Sequence, residues 1–267
     1  MSIHRPEQPT PDYVPGHNLL AGKVVVVTAA AGAGIGAAVV RRVLEEGAAA
    51  VVLGDTHERR LKEAADELSA EFGADRVRAL LCDVTDETQV QALVDAAGEF
   101  GGVDVMINNA GLGGTADVLE MTDDQWSKVL DITLTGTFRC IRAAGNQMKA
   151  TGKRGVIVNN ASVIGWRAQE GQAHYAAAKA GVMALTRCAA LDVAPYGIRV
   201  NAVSPSLAMH PFLAKVTSDD LLAELKQREA FGRAAEPWEV ANVMVFLASD
   251  YSSYLTGEVV SVSSQRA

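Results

Sequence analysis

Lys23-Val24-Val25-Val26-Val27-Thr28-Ala29-Ala30-Ala31-Gly32-Ala33-Gly34-Ile35-Gly36 decides the fold of this chain. The first half is a short β-branched apolar run that ends in a turn, the pattern of a strand buried on both faces of a parallel sheet. The second half carries three glycines. From Ala37 to Glu46 apolar residues recur with helical period, and Gly47 stops the pattern. Strand, glycine turn and helix in that order build a cradle for a pyrophosphate. The glycines let backbone amides approach the phosphates, and the helix N-terminus favours their charge. A glycine-rich run by itself is often only a tight turn; its place between a strand and a helix gives it meaning. The next apolar run, Ala49 to Gly54, ends at Asp55, nineteen residues past Gly36. A carboxylate there can accept hydrogen bonds from the ribose hydroxyls of a dinucleotide.

The same alternation continues along the chain. Further strands are expected at Val77 to Leu81, Val103 to Asn108, Gly155 to Asn160, Ile198 to Val203 and Glu258 to Val262. Helices are expected at Glu58 to Phe72, Glu87 to Phe100, Asp123 to Lys149, Ala173 to Val193 and Pro237 to Ser249. The pattern predicts an α/β fold: one Rossmann-type, doubly wound parallel sheet with helices on both faces. Its ligand crevice opens at the carboxyl ends of the strands. Thr28, Asp55, Asp83, Asn108 and Ser162 all fall at such ends.

Ser162, Tyr175 and Lys179 carry the chemistry. Tyr175 and Lys179 lie one helical turn apart on one face. A phenol titrates near pH 10 unperturbed. A fixed ammonium beside it favours phenolate, so Tyr175 is expected to exchange protons nearer neutral pH, with Ser162 holding the oxygen concerned. With a hydride carrier present, this set interconverts an alcohol and a carbonyl. Trp166 and Arg167, between Ser162 and Tyr175, are expected to face the substrate. Trp166 would form an apolar wall, and Arg167 would clamp a carboxylate or phosphate unless it sits in a surface or intersubunit ion pair. His174 reads as structural. Arg59 and Arg60 read either as a charged first helical turn or as partners for a 2′-phosphate. They leave NADP open, although Asp55 favours NAD.

The chain resembles the short-chain dehydrogenase/reductase family over roughly residues 20–262. The glycine turn, Cys82-Asp83-Val84, Asn108-Asn109-Ala110-Gly111 and the set Ser162, Tyr175 and Lys179 carry the resemblance together. It implies that Ser162, Tyr175 and Lys179 are catalytic. It implies dinucleotide contacts from Thr28, Gly32, Gly34, Ile35, Gly36, Asp55, Asp83, Val84, Asn109, Ala110, Gly111, Tyr175 and Lys179. Asp83 would sit near the adenine, Asn108 to Gly111 beneath the cofactor, and Lys179 on the nicotinamide ribose. It also implies a lid at 204–236, with a helix from Asp219 to Phe231, and a homodimer or homotetramer.

Four features depart from the family pattern. The glycine turn is one residue longer than usual, with Ala29 where glycine is common. Thr133 stands where the family has a catalytic asparagine that holds a relay water. Ser204-Pro205-Ser206 replaces a Pro-Gly turn, and His210 replaces a threonine near the nicotinamide. The chain ends Ser263-Ser264-Gln265-Arg266-Ala267, without the common Asp-Gly-Gly.

The 267 residues, 49% of them hydrophobic, suffice for one large domain, expected over 19–267. Four of the eight prolines (Pro6, Pro9, Pro11 and Pro15) lie within residues 1–18, which are expected to form a flexible arm. A net charge of −8 argues against nucleic-acid or anionic-membrane partners. No run reaches the roughly 18 apolar residues of a membrane span. Cys82, Cys140 and Cys188 have neither disulfide nor metal spacing, which points to a cytoplasmic protein without metal.

The expected activity is NAD(H)-dependent interconversion of a secondary alcohol and a ketone. Asn159-Asn160-Ala161-Ser162 and the C-terminal phrase resemble an actinobacterial subgroup that degrades steroid rings. That resemblance implies a bicyclic hydroxy-indanone propanoate substrate, free or joined to coenzyme A. Two alternatives stand: an NADPH-dependent reductase of 3-ketoacyl thioesters, and a dinucleotide sensor or scaffold without turnover.

Overall fold

A computed structural model describes residues 6–209 and 219–265. Seven parallel strands form one sheet in the order β3-β2-β1-β4-β5-β6-β7. They are β1 (Val24–Thr28), β2 (Ala50–Asp55), β3 (Val77–Leu81), β4 (Val105–Asn108), β5 (Val156–Asn160), β6 (Arg199–Pro205) and β7 (Val259–Val262). The order reverses between β1 and β4, so the crevice at their carboxyl ends is the topological switch point. Every residue of β1 is buried. Val25 and Val27 enter the core on one face, and Val24 and Val26 enter the core on the other. That period of two, with apolar residues in both phases, is why the run carries no polar alternation.

Among the described residues the helices are α1 (Ile35–Glu45), α2 (Glu58–Phe72), α3 (Glu87–Ala96), α4 (Asp123–Leu130), α5 (Gly136–Thr151), α6 (Ala173–Val193), α7 (Asp219–Arg228) and α8 (Pro237–Ala248). Their starts follow from local chemistry. Asp86 caps α3 by accepting from the amides of Thr88 and Gln89 at 2.8 and 3.3 Å. Thr122 and Gln125 form a reciprocal capping box on α4. Pro237 opens α8, where its missing N–H costs nothing.

Two expected helices are interrupted. The run predicted over Asp123 to Lys149 is α4 and α5 joined by a π-helical turn, Asp131–Thr135. The run predicted to Phe100 tightens into a 3₁₀ turn at Ala97–Phe100. The helix expected from Asp219 to Phe231 ends at Arg228. Segment 210–218, including His210, lies outside the described residues. Among those described, no helix is long and apolar enough to cross a membrane.

The N-terminal arm makes specific contacts with the domain. Between Tyr13 and Leu19 it is tied to α1 rather than loose. Glu46 is fully buried just past α1 and accepts from the amides of His17 (2.7 Å) and Leu19 (3.0 Å). Its other oxygen pairs with Arg42 at 2.7 Å. Arg42 in turn donates to the carbonyl oxygens of Val14 and Pro15, and Tyr13 packs edge-on against Trp238 at 5.3 Å. The composition of the arm suggested disorder; the buried charge pair that collects its amides and carbonyls belongs to a distant helix.

Candidate active site

The glycine turn leaves β1 at Thr28, whose buried hydroxyl accepts from the amides of Asn109 (3.0 Å) and Ala110 (3.1 Å) after β4. The Asn109 side chain donates to the Ala29 carbonyl at 3.1 Å. Asn160, at the end of β5, donates to the Asn109 carboxamide oxygen at 2.9 Å. The three strand ends that flank the switch point are thereby laced together. Ala29 adopts φ +49°, a left-handed conformation that strains any residue with a Cβ. This strain is the local cost of alanine where glycine is common.

Gly36 has no room for a side chain. A Cβ there would lie 2.0 Å from the Ala29 carbonyl oxygen, so α1 packs directly on the turn. Gly34 is the opposite case, because a Cβ there would meet nothing within 4 Å. Gly34 also starts α1 without a side-chain cap, and the first helical turn carries no acidic residue. Its uncapped amides beside open space fit a pyrophosphate.

Asp55 is partly committed to shaping this turn. Its two oxygens accept from the amides of Ala31 (3.0 Å) and His57 (2.9 Å). Each oxygen retains a lone pair able to accept from a ribose hydroxyl. Arg60 lies beside the turn, its Nη1 3.8 Å from where a Gly32 Cβ would be. Arg59 instead faces Glu63 on the exposed side of α2. Asp83 accepts from the Thr85 amide and hydroxyl at 2.9 and 2.7 Å. The adjacent Val84 is buried and fits only because Gly136 has no Cβ.

Ser162, Tyr175 and Lys179 converge with the loop after β4. Ser162 follows just after β5 and caps a 3₁₀ turn, accepting from the Ile164 amide at 3.3 Å. The first turn of α6 presents Tyr175, and the next presents Lys179. The Lys179 ammonium lies 5.6 Å from the centre of the Tyr175 ring. It donates to the Asn160 carbonyl at 2.5 Å. A Cβ on Gly111 would stand 3.3 Å from that ammonium, so glycine leaves it room. Thr133, fully buried in the π-helical turn, accepts from the Leu112 amide at 3.0 Å and points back to the Leu112 carbonyl. Its hydroxyl is therefore spent on holding the loop. Such single π turns recur at functional sites.

Burial, more than mutual charge, sets the protonation of this pair. It pushes the Lys179 pKa down to about 8. It raises the Tyr175 phenol above its ordinary 10, against a smaller lowering by the hydrogen bond with Ser162. The expectation that Lys179 draws Tyr175 toward neutrality is not what the chain's own groups produce. The ammonium is itself desolvated, and it is aimed at the Asn160 carbonyl.

The residues expected to face substrate divide. Trp166 is 44% exposed. Arg167 Nη1 donates to the Gln265 side chain of the C-terminal tail. His174 is buried, with Nδ1 unpartnered, and a Cβ on Gly114 would stand 3.3 Å from its Nε2. Two residues beyond the sequence expectations join this region, Asn160 and the buried Glu229. Asn160 lies in the Asn159-Asn160-Ala161-Ser162 run, whereas nothing in the sequence around Glu229 separates it from a surface helix carboxylate.

Comparison with known proteins gives this geometry its family. The family model described as enoyl-(acyl carrier protein) reductase matches residues 29–264. A Mycobacterium tuberculosis protein named (5R,7aS)-5-hydroxy-7a-methyl-1-oxo-2,3,5,6,7,7a-hexahydro-1H-indene-carboxyl-CoA reductase is 62% identical over 256 residues, covering 96% of this chain and 97% of its own. Cis-4-hydroxycyclohexanecarboxylate dehydrogenase of Sinomonas cyclohexanicum is 44% identical over 91% of this chain and 95% of its own. The crystal structure of a short-chain dehydrogenase from Mycobacterium smegmatis superposes with a TM-score of 0.86 at 55% identity, covering 97% of this chain and 99% of that one. A parallel seven-stranded sheet, a glycine turn at its switch point and a serine, tyrosine and lysine grouped beside it thus occur in a chain that belongs to the short-chain dehydrogenase/reductase family, as an NAD(P)-binding oxidoreductase that interconverts alcohols and ketones.

Proposed function

We propose that this enzyme acts on a secondary alcohol or ketone set in a carbocyclic ring that bears a carboxyl-derived group. One observation carries the chemistry: Ser162, Tyr175 and Lys179 meet at the end of β5, beside a loop that glycine keeps open to Lys179. The ring and the carboxyl group rest on the two named relatives, both of which carry them in their printed substrates.

When bound, the nicotinamide supplies the hydride donor or acceptor. Ser162 and Tyr175 hydrogen-bond the substrate oxygen as its charge changes. In reduction the Tyr175 hydroxyl releases its proton to that oxygen; in oxidation it takes the proton back. A phenol raised by burial stands protonated at neutral pH, ready for reduction. The Lys179 ammonium, oriented by its hydrogen bond to the Asn160 carbonyl and set against the Tyr175 ring, would hold the ribose. Thr133 cannot repeat the role of an asparagine, because its hydroxyl is engaged with Leu112. The substrate would lie near Trp166.

Asp55 favours NAD, since a carboxylate at that strand end repels a 2′-phosphate. Arg60 beside Gly32 supports a second reading, NADP with a ketoacyl thioester substrate. Titration with NADH and with NADPH separates them. Tighter NADH binding is expected, and tighter NADPH binding that Arg60→Ala abolishes would reverse the assignment. We also propose a homodimer or homotetramer in the cytoplasm. Half-exposed Trp126 and Phe138 on α4 and α5, together with three unpaired cysteines, support this. Turnover of NAD or NADP with ring alcohols such as 4-hydroxycyclohexanecarboxylate tests the reading, and cofactor binding without turnover across a broad panel would overturn it.

A further inference from the structure

We propose that Arg167 recognises the acyl oxygen of the substrate, a carboxylate or a thioester carbonyl, and that Gln265 and Glu229 position it for that task. The inference rests on the ring-carboxyl reading above and assigns one group of the chain to the carboxyl end of the substrate.

The arrangement begins with three neighbouring strands, β5, β6 and β7, whose carboxyl ends lie side by side. Ser162 and the turn carrying Arg167 follow β5; the Arg167 amide bonds the Val163 carbonyl at 3.1 Å. Leu207 follows β6, and Gln265 follows β7. Glu229, just beyond α7, ties all three together. It accepts from the Leu207 amide (3.3 Å), the Ser264 hydroxyl (2.7 Å) and the Gln265 side-chain amide (2.6 Å). The other end of the Gln265 carboxamide accepts from Arg167 Nη1.

The orientation of Gln265 is forced. A guanidinium only donates and an ionised carboxylate only accepts, so the amide nitrogen must face Glu229 and its oxygen must face Arg167. The amide acts as a spacer between two opposite charges. A carboxylate directly on Arg167 would form a two-point pair and consume the guanidinium. The spacer takes only one N–H. Arg167 Nη2 is buried and has no hydrogen-bond partner. A buried, charged donor left unpaired in a native fold calls for a partner. Its position, five residues after Ser162 on the same turn, puts that partner at the substrate end of the site. An acyl oxygen has the right charge and geometry. The C-terminal Ser-Ser-Gln phrase, a departure from the family pattern, thereby acquires a role: it joins the base of the 204–236 region to the substrate-side arginine.

The test uses the full chain saturated with NAD and calorimetric binding of cyclohexanecarboxylate, cyclohexanecarboxyl-coenzyme A and neutral cyclohexanemethanol. Wild type should prefer an acyl ligand over the neutral one by about 10- to 100-fold, the scale of a charge-assisted hydrogen bond. Preference confined to the free acid identifies a carboxylate, and preference shared by the thioester identifies its carbonyl. Arg167→Gln should abolish the preference while leaving cyclohexanemethanol binding unchanged, and Arg167→Lys should restore part of it. Gln265→Leu should reduce it with native thermal stability, and should raise KM for 4-hydroxycyclohexanecarboxylate without lowering kcat. Equal losses for acyl and neutral ligands, or a change of oligomeric state with preference intact, would overturn the proposal. Turnover of NAD is followed in parallel. An intact acyl preference without turnover contradicts the dehydrogenase reading and leaves the arginine site standing; turnover without acyl preference does the reverse.

Discussion

At the scale of single residues, the site departs from the simplest chemical expectation in two places. Ala29 holds a left-handed backbone that its side chain disfavours. Ala29→Gly should therefore stabilise the enzyme by about 1 kcal/mol, read as a raised midpoint in urea unfolding. Gly36→Ala should do the opposite, because a Cβ would strike the Ala29 carbonyl oxygen. The second place is Lys179, whose pKa falls from its ordinary 10.5 to about 8 on burial. Below pH 8 the ammonium is charged in both folded and unfolded chains, and the folded state bears the full cost of burying it. Between about pH 8 and 10.5 the unfolded chain binds more protons, so this group makes stability rise with pH. Lys179→Met removes that cost. Relative to wild type it should gain most at pH 7, by roughly 3 kcal/mol, and the gain should shrink as pH rises toward 10.5. A pH-independent difference in thermal midpoints would contradict this account.

At the scale of elements, the anchoring of the N-terminal arm depends on one charge pair. Arg42 and Glu46 are almost fully buried, and between them they bond the arm backbone at Val14, Pro15, His17 and Leu19. Removing Glu46 leaves the buried Arg42 with only its longer 3.7 Å pair to Glu45, a loss of up to about 3–5 kcal/mol. Glu46→Gln should lower the thermal midpoint and make the arm sensitive to limited proteolysis, whereas an unaltered cleavage pattern would show that the arm is held by other contacts. Arm composition alone does not reveal this, since four prolines read equally well as a loose tail or as a rigid strap. The π-helical turn at Asp131–Thr135 was equally hidden. Periodicity over Asp123 to Lys149 is helical throughout, and one extra residue in a turn shifts the phase too little to see. The strands were plain because both faces of the sheet are covered, which forces apolar residues into both phases of the pleat.

At the scale of the whole molecule, the proposed catalytic group of Ser162, Tyr175 and Lys179 was legible because its members are bound by local spacing on one helix and one strand end. Tyr175 and Lys179 sit one turn apart, and Ser162 follows just after β5. The Glu229, Gln265 and Arg167 network was not, because it joins three segments that meet only through the strand order β5-β6-β7. Protonation was also beyond spacing. Burial is a property of the assembled fold, and it reverses the expected direction for Tyr175. The central claim is that Tyr175 moves the proton between enzyme and substrate oxygen. It is tested most directly by comparing wild type with Tyr175→Phe in steady-state turnover of 4-hydroxycyclohexanecarboxylate, with NADH binding measured alongside. The account predicts a loss of about a hundredfold or more in kcat, with NADH binding retained. Full turnover by the phenylalanine variant would contradict it.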